Sequence, residues 1–557
     1  MNRSSDRPGR RPRGSGPARP GAGGKVTAAA RESRKRPPAD ETDAAPFDPT
    51  DAFVDRLHEP DQVLPCIDAI MAASVADETE MVWLQRRHGN ARRQPAAART
   101  DDVAADAADA DAFDGATAVH RESTRTSLLL RTVTGGRLGW YRTEPSSRNE
   151  LLSGVRQSMA MATVRPPVKR RPVFPNDDSP LAIPETALFD PAIAALDEAG
   201  ARALVARLVA DAGDDDALAG DALDVRLHWS VLHLILGNSH GARRRVTTTE
   251  ATVSLTGTRD GRPQPGAGRV VTSARHLEGL RLDAHVARLR DVHAPPAPAD
   301  TIEAAADAVL DPDGGPIGPV LLAPEVVIAL LDVINAQALA GRAYLEGTSF
   351  LSRHRNIQVF DRAFHVFDDA TEEHGMPFPF DVEGTPKRRL ELIVKGTPST
   401  PALNQYQGGE AGLEPTAQAL GGQDSMFGNL FLACGDADRD ALIAAADGGI
   451  RIGWLEAVEC FAPEQLHVRA IARGVRRVEN GGLGTPLPDL VWEDSILRIF
   501  AQLRAIGATP TAFAASTTPF GGITAPPVVV ERAEGLSRLA DHRRPPAGAA
   551  DDADDPD

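Results

Sequence analysis

Two pairs of strand-like segments joined by tight turns constrain the fold of this chain most strongly. The segments TSLLLRTV and RLGWYRT flank Thr134-Gly135-Gly136, and a longer pair flanks the turn Asn-Ser-His-Gly at 238–241. Apolar and β-branched segments on both sides of a glycine-containing turn predict antiparallel hairpins. Helix-like segments lie between these hairpins, without the strand–helix–strand rhythm of a parallel sheet. The sequence therefore predicts an α+β protein with mostly antiparallel sheets and interleaved helices.

The chain has 557 residues, which is long enough for more than one domain. The segment DPDGGPIGP at 311–319 consists of turn-forming residues and predicts a boundary. We predict an N-terminal α+β domain at 47–310 and a C-terminal α+β domain at 311–540. Three further segments are too polar or too rich in small residues to form a core: a basic tail at 1–46, an inserted loop at 96–117 and an acidic tail at 541–557.

Charge and cysteine content exclude several classes of protein. The formal net charge is −17, which argues against a nucleic-acid-binding protein because phosphate affinity comes from clustered Lys and Arg. Cys66, Cys434 and Cys460 lie far apart in the sequence, so we expect no disulfide framework and a cytoplasmic location. The longest apolar window, 320–340, contains acidic residues and so argues against a membrane span.

The stretch from Ala329 to Gly396 contains the main candidates for chemistry. It begins with ALLDVINAQALAGRAYLEGTSFL, which predicts an apolar helix, and continues with a strand–turn–strand unit that has acidic residues at its turn. Asp381 and Glu383 could bind a cation, or they could cap the turn. The sequence FDVEGTP favours turn capping because Gly and Pro stand where a tight turn needs them.

Common catalytic motifs are absent from the sequence. It contains no phosphate-binding loop, no GxSxG and no HExxH. Cys434 has no histidine in the same local unit, so a structural thiol is the default interpretation. Near the C-terminus, SILRIFAQLRAIG predicts a helix that is capped by Gly507.

A succession of segments resembles the TldD/PmbA family. These segments are FDRAFHVFDDA, FDVEGTPKRRLELIVKG, GNLFLACGDADRDALI, ADGGIRIGWL, ARGVRRVENG and SILRIFAQLRAIG. The hairpin GGRLGWYRT, the helix after it and the turn GNSHG are similar to the N-terminal half of the family. The resemblance covers most of residues 50–535 and implies a two-domain TldD/PmbA-like fold.

The resemblance implies one of two roles. TldD-like members carry HExxxH on a helix and a distant Cys, which hold zinc for peptide hydrolysis, whereas TldE/PmbA-like members lack these ligands and pair with the first type. The flanks of the helix place Asp332 and Gln337 at the two His positions and Val333 at the Glu position. Val cannot act as a general base, and Gln is a poor zinc ligand. A spacing of five residues also lies about 140° off one face of an ideal helix, and these residues give no reason for a distortion.

The Cys-bearing segment of the family corresponds to FAASTTPFGGITAPPVVV, which contains Ser516 and Thr517 but no Cys. By resemblance, the chain is therefore a TldE/PmbA-like, non-catalytic subunit of a zinc-dependent metallopeptidase that acts on unfolded or leader peptides. A TldD-like homologue would be its partner, in a heterodimer or a higher assembly. Zinc is expected on the partner, with no cofactor on this chain.

This chain would contribute half of the wall of a peptide-binding chamber. The candidate residues for contacting an extended peptide are Asp381, Glu383, Gly384 and Arg388. One alternative is a stand-alone peptide-binding or regulatory protein that keeps the fold without peptidase activity. A further alternative is hydrolysis through other residues, such as Cys434 or the carboxylates at 368–383.

Overall fold

The fold is that of a computed structural model of the chain. The structure describes residues 59–93, 117–144, 148–167, 174–175, 179–213, 222–259, 262–295, 297–310, 315–422, 424–514 and 520–539. Both predicted tails, and the predicted inserted loop apart from Thr117, lie outside these residues. Asp48–Asp557 form one compact unit. The division into domains at 47–310 and 311–540 stays a prediction.

The helices are distributed along the whole described chain. They are α1 (Val63–Ala73), α2 (Arg148–Thr163), α3 (Pro191–Ala194), α4 (Glu198–Gly213), α5 (Leu282–Val292), α6 (Ala299–Asp307), α7 (Pro324–Val333), α8 (Gly341–Glu346), α9 (Phe350–His354), α10 (Gln405–Ala411), α11 (Arg439–Ala445) and α12 (Ile496–Phe500). A π-helical segment, Ile334–Leu339, directly follows α7. Within the described residues, no helix is long and apolar enough to cross a membrane.

The N-terminal strands form one antiparallel sheet, called sheet 1. Its strands are β1 (Glu78–Arg93), β2 (Thr117–Thr134), β3 (Arg137–Thr143), β4 (Ala222–Asn238), β5 (Arg243–Thr258) and β6 (Arg269–Ala274). Their order is β3-β2-β1-β4-β5-β6. The predicted hairpins are confirmed as β2–β3 and β4–β5. Gly135 and Gly136 adopt φ values of 57° and 73° in the first turn, a conformation that glycine reaches without strain.

Around residues 224–228 of β4 and 253–256 of β5, sheet 1 has one apolar and one polar side, because successive side chains of a strand point to opposite sides. On one side, Val225 and Leu227 of β4 and Val253 and Leu255 of β5 belong to a buried core with residues of α4 and α5. The residues between them, among them Arg226, lie on the other side, which we call the polar face.

The remaining strands form three further sheets and a small ribbon. They are β7 (Val320–Leu322), β8 (Val366–Asp368), β9 (Leu390–Val394), β10 (Thr397–Pro398), β11 (Ala419–Gly421), β12 (Asp424–Ser425), β13 (Asn429–Leu432), β14 (Ile450–Ile452), β15 (Trp454–Ala462), β16 (His467–Arg473), β17 (Arg476–Glu479), β18 (Gly482–Pro486), β19 (Leu490–Ser495), β20 (Leu503–Ile506), β21 (Thr511–Ala514), β22 (Gly522–Ala525), β23 (Val528–Val530) and β24 (Leu536–Arg538).

Sheet 2 has the order β10-β9-β8-β13-β22-β21, sheet 3 the order β18-β17-β14-β7-β23-β20 and sheet 4 the order β15-β16-β19-β24. Among the described strands, the pairs β13–β22 and β7–β14 are parallel and the other pairs are antiparallel. The predicted α+β class with mostly antiparallel sheets and interleaved helices is therefore confirmed.

The predicted helix over Ile496–Gly507 is only partly present. The helix ends at Phe500, and Leu503–Ile506 forms strand β20, which pairs with β23. Gly507 therefore follows a strand and caps no helix. Pairing with the buried segment Val528–Val530 satisfies the backbone of Leu503–Ile506, so tertiary contacts override the local helical pattern.

Helix α7 is deeply buried in the C-terminal part of the chain. Val326, Val327, Leu330 and Leu331 are almost fully buried and belong to a core cluster that includes strands of sheets 2, 3 and 4. Pro324 occupies the first helical turn, where its missing N–H is tolerated. The position of the residues at the end of this helix is therefore fixed by packing.

Candidate functional site

The helix that carries the motif positions is distorted at its C-terminal end. The segment Ile334–Leu339 is π-helical and continues α7 without a break. In a π-helix the hydrogen bonds join residues five apart, so residues i and i+5 lie on the same side. Asp332 and Gln337 accordingly line one cleft, with Val333 beside them. The expectation that no distortion brings these positions together is wrong.

Contacts with distant parts of the chain hold the π-helical segment. The buried Asn335 side chain donates from Nδ2 to the Phe427 carbonyl at 2.9 Å and accepts the Phe427 N–H at 3.1 Å. At the end of the segment, the Ser349 hydroxyl donates to the Ala338 carbonyl at 2.9 Å. The Asn335 side chain anchors the segment to the backbone of Phe427, and the Ser349 hydroxyl satisfies a carbonyl that has no partner within the helix where the helix ends. Tertiary packing therefore explains the distortion that the helix residues alone do not predict.

The cleft has a volume of ≈ 350 Å³. Its walls come from α7 and the π-helical segment, from β15, and from β21 and β22. The lining residues are Ile328, Ala329, Asp332, Val333, Ala336, Gln337, Val458, Cys460, Phe513, Ala514 and Ile523. Most of them are apolar, and the polar groups come from Asp332, Gln337 and Cys460. Sequence reasoning missed Cys460, because nothing in β15 itself indicates that the strand lies against α7.

The cleft residues do not fit a zinc ion. Zinc in proteins is held by imidazole, thiolate and carboxylate groups, with a position left open for water in catalytic sites. Burial raises the pKa of the Cys460 thiol above its usual value, which favours the neutral form. Val333 has no donor atom, and the amide of Gln337 is a poor ligand. In the part of the chain that the structure describes, no cluster of three or more His, Cys, Asp or Glu side chains could hold a metal. Ser516 and Thr517 lie outside the described residues.

The acidic turn is held together by Asp381. Its side chain is buried and accepts the backbone N–H groups of Glu383, Thr385 and Ala419, each at 3.0 Å. Burial, reinforced by the charge of Glu383, raises the pKa of Asp381 to about 7. Gly384 has a φ of 79°, and a Cβ at this position would lie 2.9 Å from a methyl carbon of Leu236. These contacts are those of a turn-capping carboxylate.

Glu383 belongs to a buried ion cluster that sequence reasoning missed. Its carboxylate pairs with Arg131 of β2, which also pairs with Glu80 of β1. The second oxygen of Glu383 accepts the Gln405 N–H at 2.9 Å. Burial raises the pKa of Glu80 to about 7, although the charge of Arg131 acts in the opposite direction. Arg131, the ion-pair partner of Glu383, lies in sheet 1, too far away in the sequence to be paired with it by pattern.

The predicted substrate-binding residues do not line the cleft. Asp381, Glu383 and Gly384 are buried in the turn, whereas Arg388 is exposed. Their role in binding a peptide stays a prediction. Cys434 is exposed, and partial burial of its thiol raises the pKa above the usual value. A nucleophilic cysteine needs a lowered pKa, so the geometry at Cys434 does not favour catalysis there.

Comparisons with known proteins agree with the fold. Residues 315–535 match the family model described as "PmbA/TldA metallopeptidase C-terminal domain". A protein from Thermotoga maritima, described as a proposed modulator of a DNA gyrase, has a TM-score of 0.66 and 17% identity, over 87% of this chain and 99% of that chain. TldE from Thermococcus kodakarensis has a TM-score of 0.63 and 16% identity, over 85% of this chain and 99% of that chain.

A similar proposed modulator of DNA gyrase from Bacteroides thetaiotaomicron has a TM-score of 0.62 and 16% identity, over 88% of this chain and 100% of that chain. No curated protein matches the chain in sequence. The fold and the domain match define an α+β protein related to metallopeptidases. Residues 315–535 match the C-terminal domain of the TldD/PmbA family in sequence, and the chain shares the fold of the TldE structure and of the Thermotoga maritima protein over most of its length.

Proposed function

We propose that this chain is a TldE/PmbA-like, non-catalytic subunit of a zinc-dependent metallopeptidase. The observation that carries the proposal is the cleft beside the π-helical segment. Asp332, Val333 and Gln337 share this cleft. The resemblance assigns them to the positions where TldD-like members carry their zinc ligands and general base. A cleft is therefore present beside these positions, but its side chains do not provide the set of donor atoms that zinc requires.

Hydrolysis of a peptide bond requires an activated water and a base that accepts its proton. Val333 offers no acceptor atom, and the neighbouring Ala336 and Ile328 make the cleft wall apolar. A TldD-like homologue would supply the zinc and the base, in a heterodimer or a higher assembly. The pair would cleave unfolded or leader peptides in the cytoplasm.

Strand β15 supports a role in holding an extended peptide. It is the first strand in the order of sheet 4, so β16 is its neighbour within that sheet. Val458 and Cys460 of the same strand line the cleft. An edge strand can pair with the backbone of an extended peptide without regard to sequence, and an adjoining cleft can accept one of its side chains.

The test compares the chain alone with the chain co-expressed with a homologue that carries HExxxH. We expect a stable complex, with zinc and chelator-sensitive peptidase activity in the pair, and neither in the lone chain. A partner whose motif Glu is replaced by Gln should still form the complex without activity. One equivalent of zinc in the lone chain, together with hydrolysis of a peptide, would contradict the proposal. Peptide binding by a lone chain that forms no complex would favour the stand-alone alternative.

Filling the cleft tests the contribution of this chain to the pair. We expect Ala336→Phe to lower the kcat/KM of the complex by about tenfold, because a bulky side chain excludes the substrate from a cleft wall. The matched control is Ala444→Phe, at an exposed position of α11 outside the cleft, which should leave the activity of the complex unchanged. Unchanged activity of the Ala336→Phe complex would show that the cleft takes no part.

A further inference from the structure

A second pocket lies between the polar face of sheet 1 and strands β15 and β16 of sheet 4. Its volume is ≈ 260 Å³. The lining residues are Arg92, Asp224, Arg226, Ser254, Thr256, Thr258, Pro263, Arg269, Trp454, Glu456 and Arg473. We call it the arginine pocket. It shares no lining residue with the cleft beside α7.

Strand register gathers these residues from four strands of sheet 1. Arg92 lies opposite Arg226, which lies opposite Ser254 on the next strand. Thr256 of that strand lies opposite Arg269. Residues directly opposite one another share a face of the sheet. The result is a continuous band of cationic and hydroxyl side chains, covered by Trp454 of sheet 4.

The pocket contains more positive than negative charge. Its lining includes four arginines but only two carboxylates, in a protein whose formal net charge is −17. Asp224 is shared between Arg92 at 3.0 Å and Arg226 at 3.1 Å. The second carboxylate, Glu456, has partners of its own.

Glu456 pairs with Arg473 at 2.7 Å and accepts the indole N–H of Trp454 at 3.2 Å. Both carboxylates of the lining, Asp224 and Glu456, therefore already have a cation or an N–H donor as a partner. The remaining arginine, Arg269, therefore has no carboxylate of its own in the pocket.

Arg269 is the residue that points to a ligand. Among the described residues, no carboxylate lies within ion-pairing distance of its guanidinium, and its buried Nε has no hydrogen-bond partner. Its aromatic contact is with Trp454, whose ring centroid lies 6.0 Å from Cζ. Burial, reinforced by the charge of Arg226, lowers the pKa of Arg269 below its usual value. A guanidinium without a counter-ion is costly to bury, and an anion in the pocket would remove this cost.

We propose that the arginine pocket binds a small oxyanion with two negative charges, either inorganic phosphate or the phosphate group of a small monoester. Arginine matches the geometry of a phosphate with paired donors, and serine and threonine hydroxyls donate to its remaining oxygens. Ser254, Thr256 and Thr258 provide such hydroxyls along one strand. Arg473 also pairs with Asp489, outside the lining, at 2.7 Å, so the positive charge left for the ligand is centred on Arg269. The proposal is independent of the peptidase role, because the pocket does not include the cleft.

The test is isothermal titration of the full-length chain with inorganic phosphate, glycerol phosphate and succinate, at constant ionic strength set by sodium chloride. We expect saturable binding of phosphate or of glycerol phosphate. If glycerol phosphate binds more tightly than inorganic phosphate, the ligand is a monoester; the reverse order indicates the free ion. Tighter binding of succinate than of either phosphate would overturn the assignment to phosphate.

Variants locate the binding in the pocket. We expect Arg269→Met to weaken phosphate binding by about tenfold or more, because a charge-assisted pair is lost. The matched control Arg504→Met, at a half-exposed arginine of β20 outside the pocket, should bind as the parent chain does. Thr256→Val provides a second variant without a charge change and should also weaken binding. Equal affinity in the Arg269→Met and parent chains would overturn the proposal.

Thermal unfolding separates this role from a structural one. In buffer without phosphate, Arg269→Met should leave the melting temperature unchanged or raise it, because it removes a partly buried charge that has no ion-pair partner. Added phosphate should raise the melting temperature of the parent chain but not of the variant. A lower melting temperature of the variant in both buffers, with no phosphate effect on the parent chain, would assign Arg269 a purely structural role.

Discussion

At the scale of single residues, several charged side chains are buried, and their partners do not fully replace the hydration that they lose. Glu80 pairs with Arg131, yet its Oε1 has no hydrogen-bond partner among the described residues. A carboxylate in such a place loses hydration that one guanidinium, shared with Glu383, does not fully replace. The raised pKa of Glu80, about 7, expresses this balance.

Stability should therefore fall as the pH rises through the range in which Glu80 loses its proton. Because the folded-state pKa is higher than the unfolded one, the folded chain binds the extra proton and is favoured at low pH. As the pH rises from about 5 to about 8, the free energy of unfolding of the parent chain should decrease relative to that of the Glu80→Gln variant. Urea unfolding across this range measures the difference.

The control for this prediction is Glu373→Gln, at an exposed position. Its free energy of unfolding should run parallel to that of the parent chain over the same pH range. If the Glu80→Gln curve also ran parallel, the assignment of the titration to Glu80 would be wrong.

At the scale of elements, α7 and the π-helical segment after it decide what the cleft contains. The π-helical geometry turns Asp332 and Gln337 to the same side, which an ideal helix would not do. Two positions five residues apart on this helix therefore face one cleft, and the side chains that they carry do not form a zinc site. Replacing these side chains with zinc ligands tests whether the positions can hold a metal ion.

We expect the triple variant Asp332→His, Val333→Glu, Gln337→His to bind zinc, because its two imidazoles would face the cleft beside Cys460. Elemental analysis after dialysis against zinc should find more metal than in the parent chain. A matched variant that moves the second histidine by one position, Ala338→His in place of Gln337→His, directs it toward the buried side and should not gain zinc. No gain in the triple variant would show that these positions do not correspond to the family's ligand positions.

At the scale of the whole molecule, buried polar contacts join sheet 1 to the C-terminal part. Arg131 connects β1 and β2 with Glu383 in the acidic turn. Elsewhere, Arg275 after β6 donates to the Pro377 carbonyl at 3.2 Å and 3.0 Å. Both arginines are almost fully buried, so the two parts are held together by contacts that solvent does not screen.

Removing Arg131 should destabilise the molecule as a unit. We expect Arg131→Met to lower the free energy of unfolding by about 3–5 kcal/mol, because Glu80 and Glu383 would remain buried without a counter-ion. Denaturant unfolding, followed by circular dichroism, measures the change. The exposed Arg388→Met is the control and should change stability little. An unchanged denaturant midpoint for Arg131→Met would show that the ion cluster does not stabilise the contact between sheet 1 and the C-terminal part.

The sequence by itself determined the α+β class, the two hairpins of sheet 1 and the family resemblance. These follow from signals that are local in the chain: the alternation of a strand, the glycines of a turn and the order of short motifs. The resemblance also assigned the family's motif positions to Asp332, Val333 and Gln337, which stays a prediction. Where a segment's pattern conflicted with its surroundings, as at Leu503–Ile506, the local signal predicted a helix and strand pairing decided otherwise.

Only the tertiary structure decided how these pieces act together. The π-helical segment depends on Asn335 reaching the backbone of Phe427, and Cys460 enters the cleft because β15 packs beside α7. The arginine pocket depends on the register of neighbouring strands and on the sheet that covers them. Each of these contacts joins residues that are far apart in the chain, and their pairing is set by packing and burial, which no local pattern encodes.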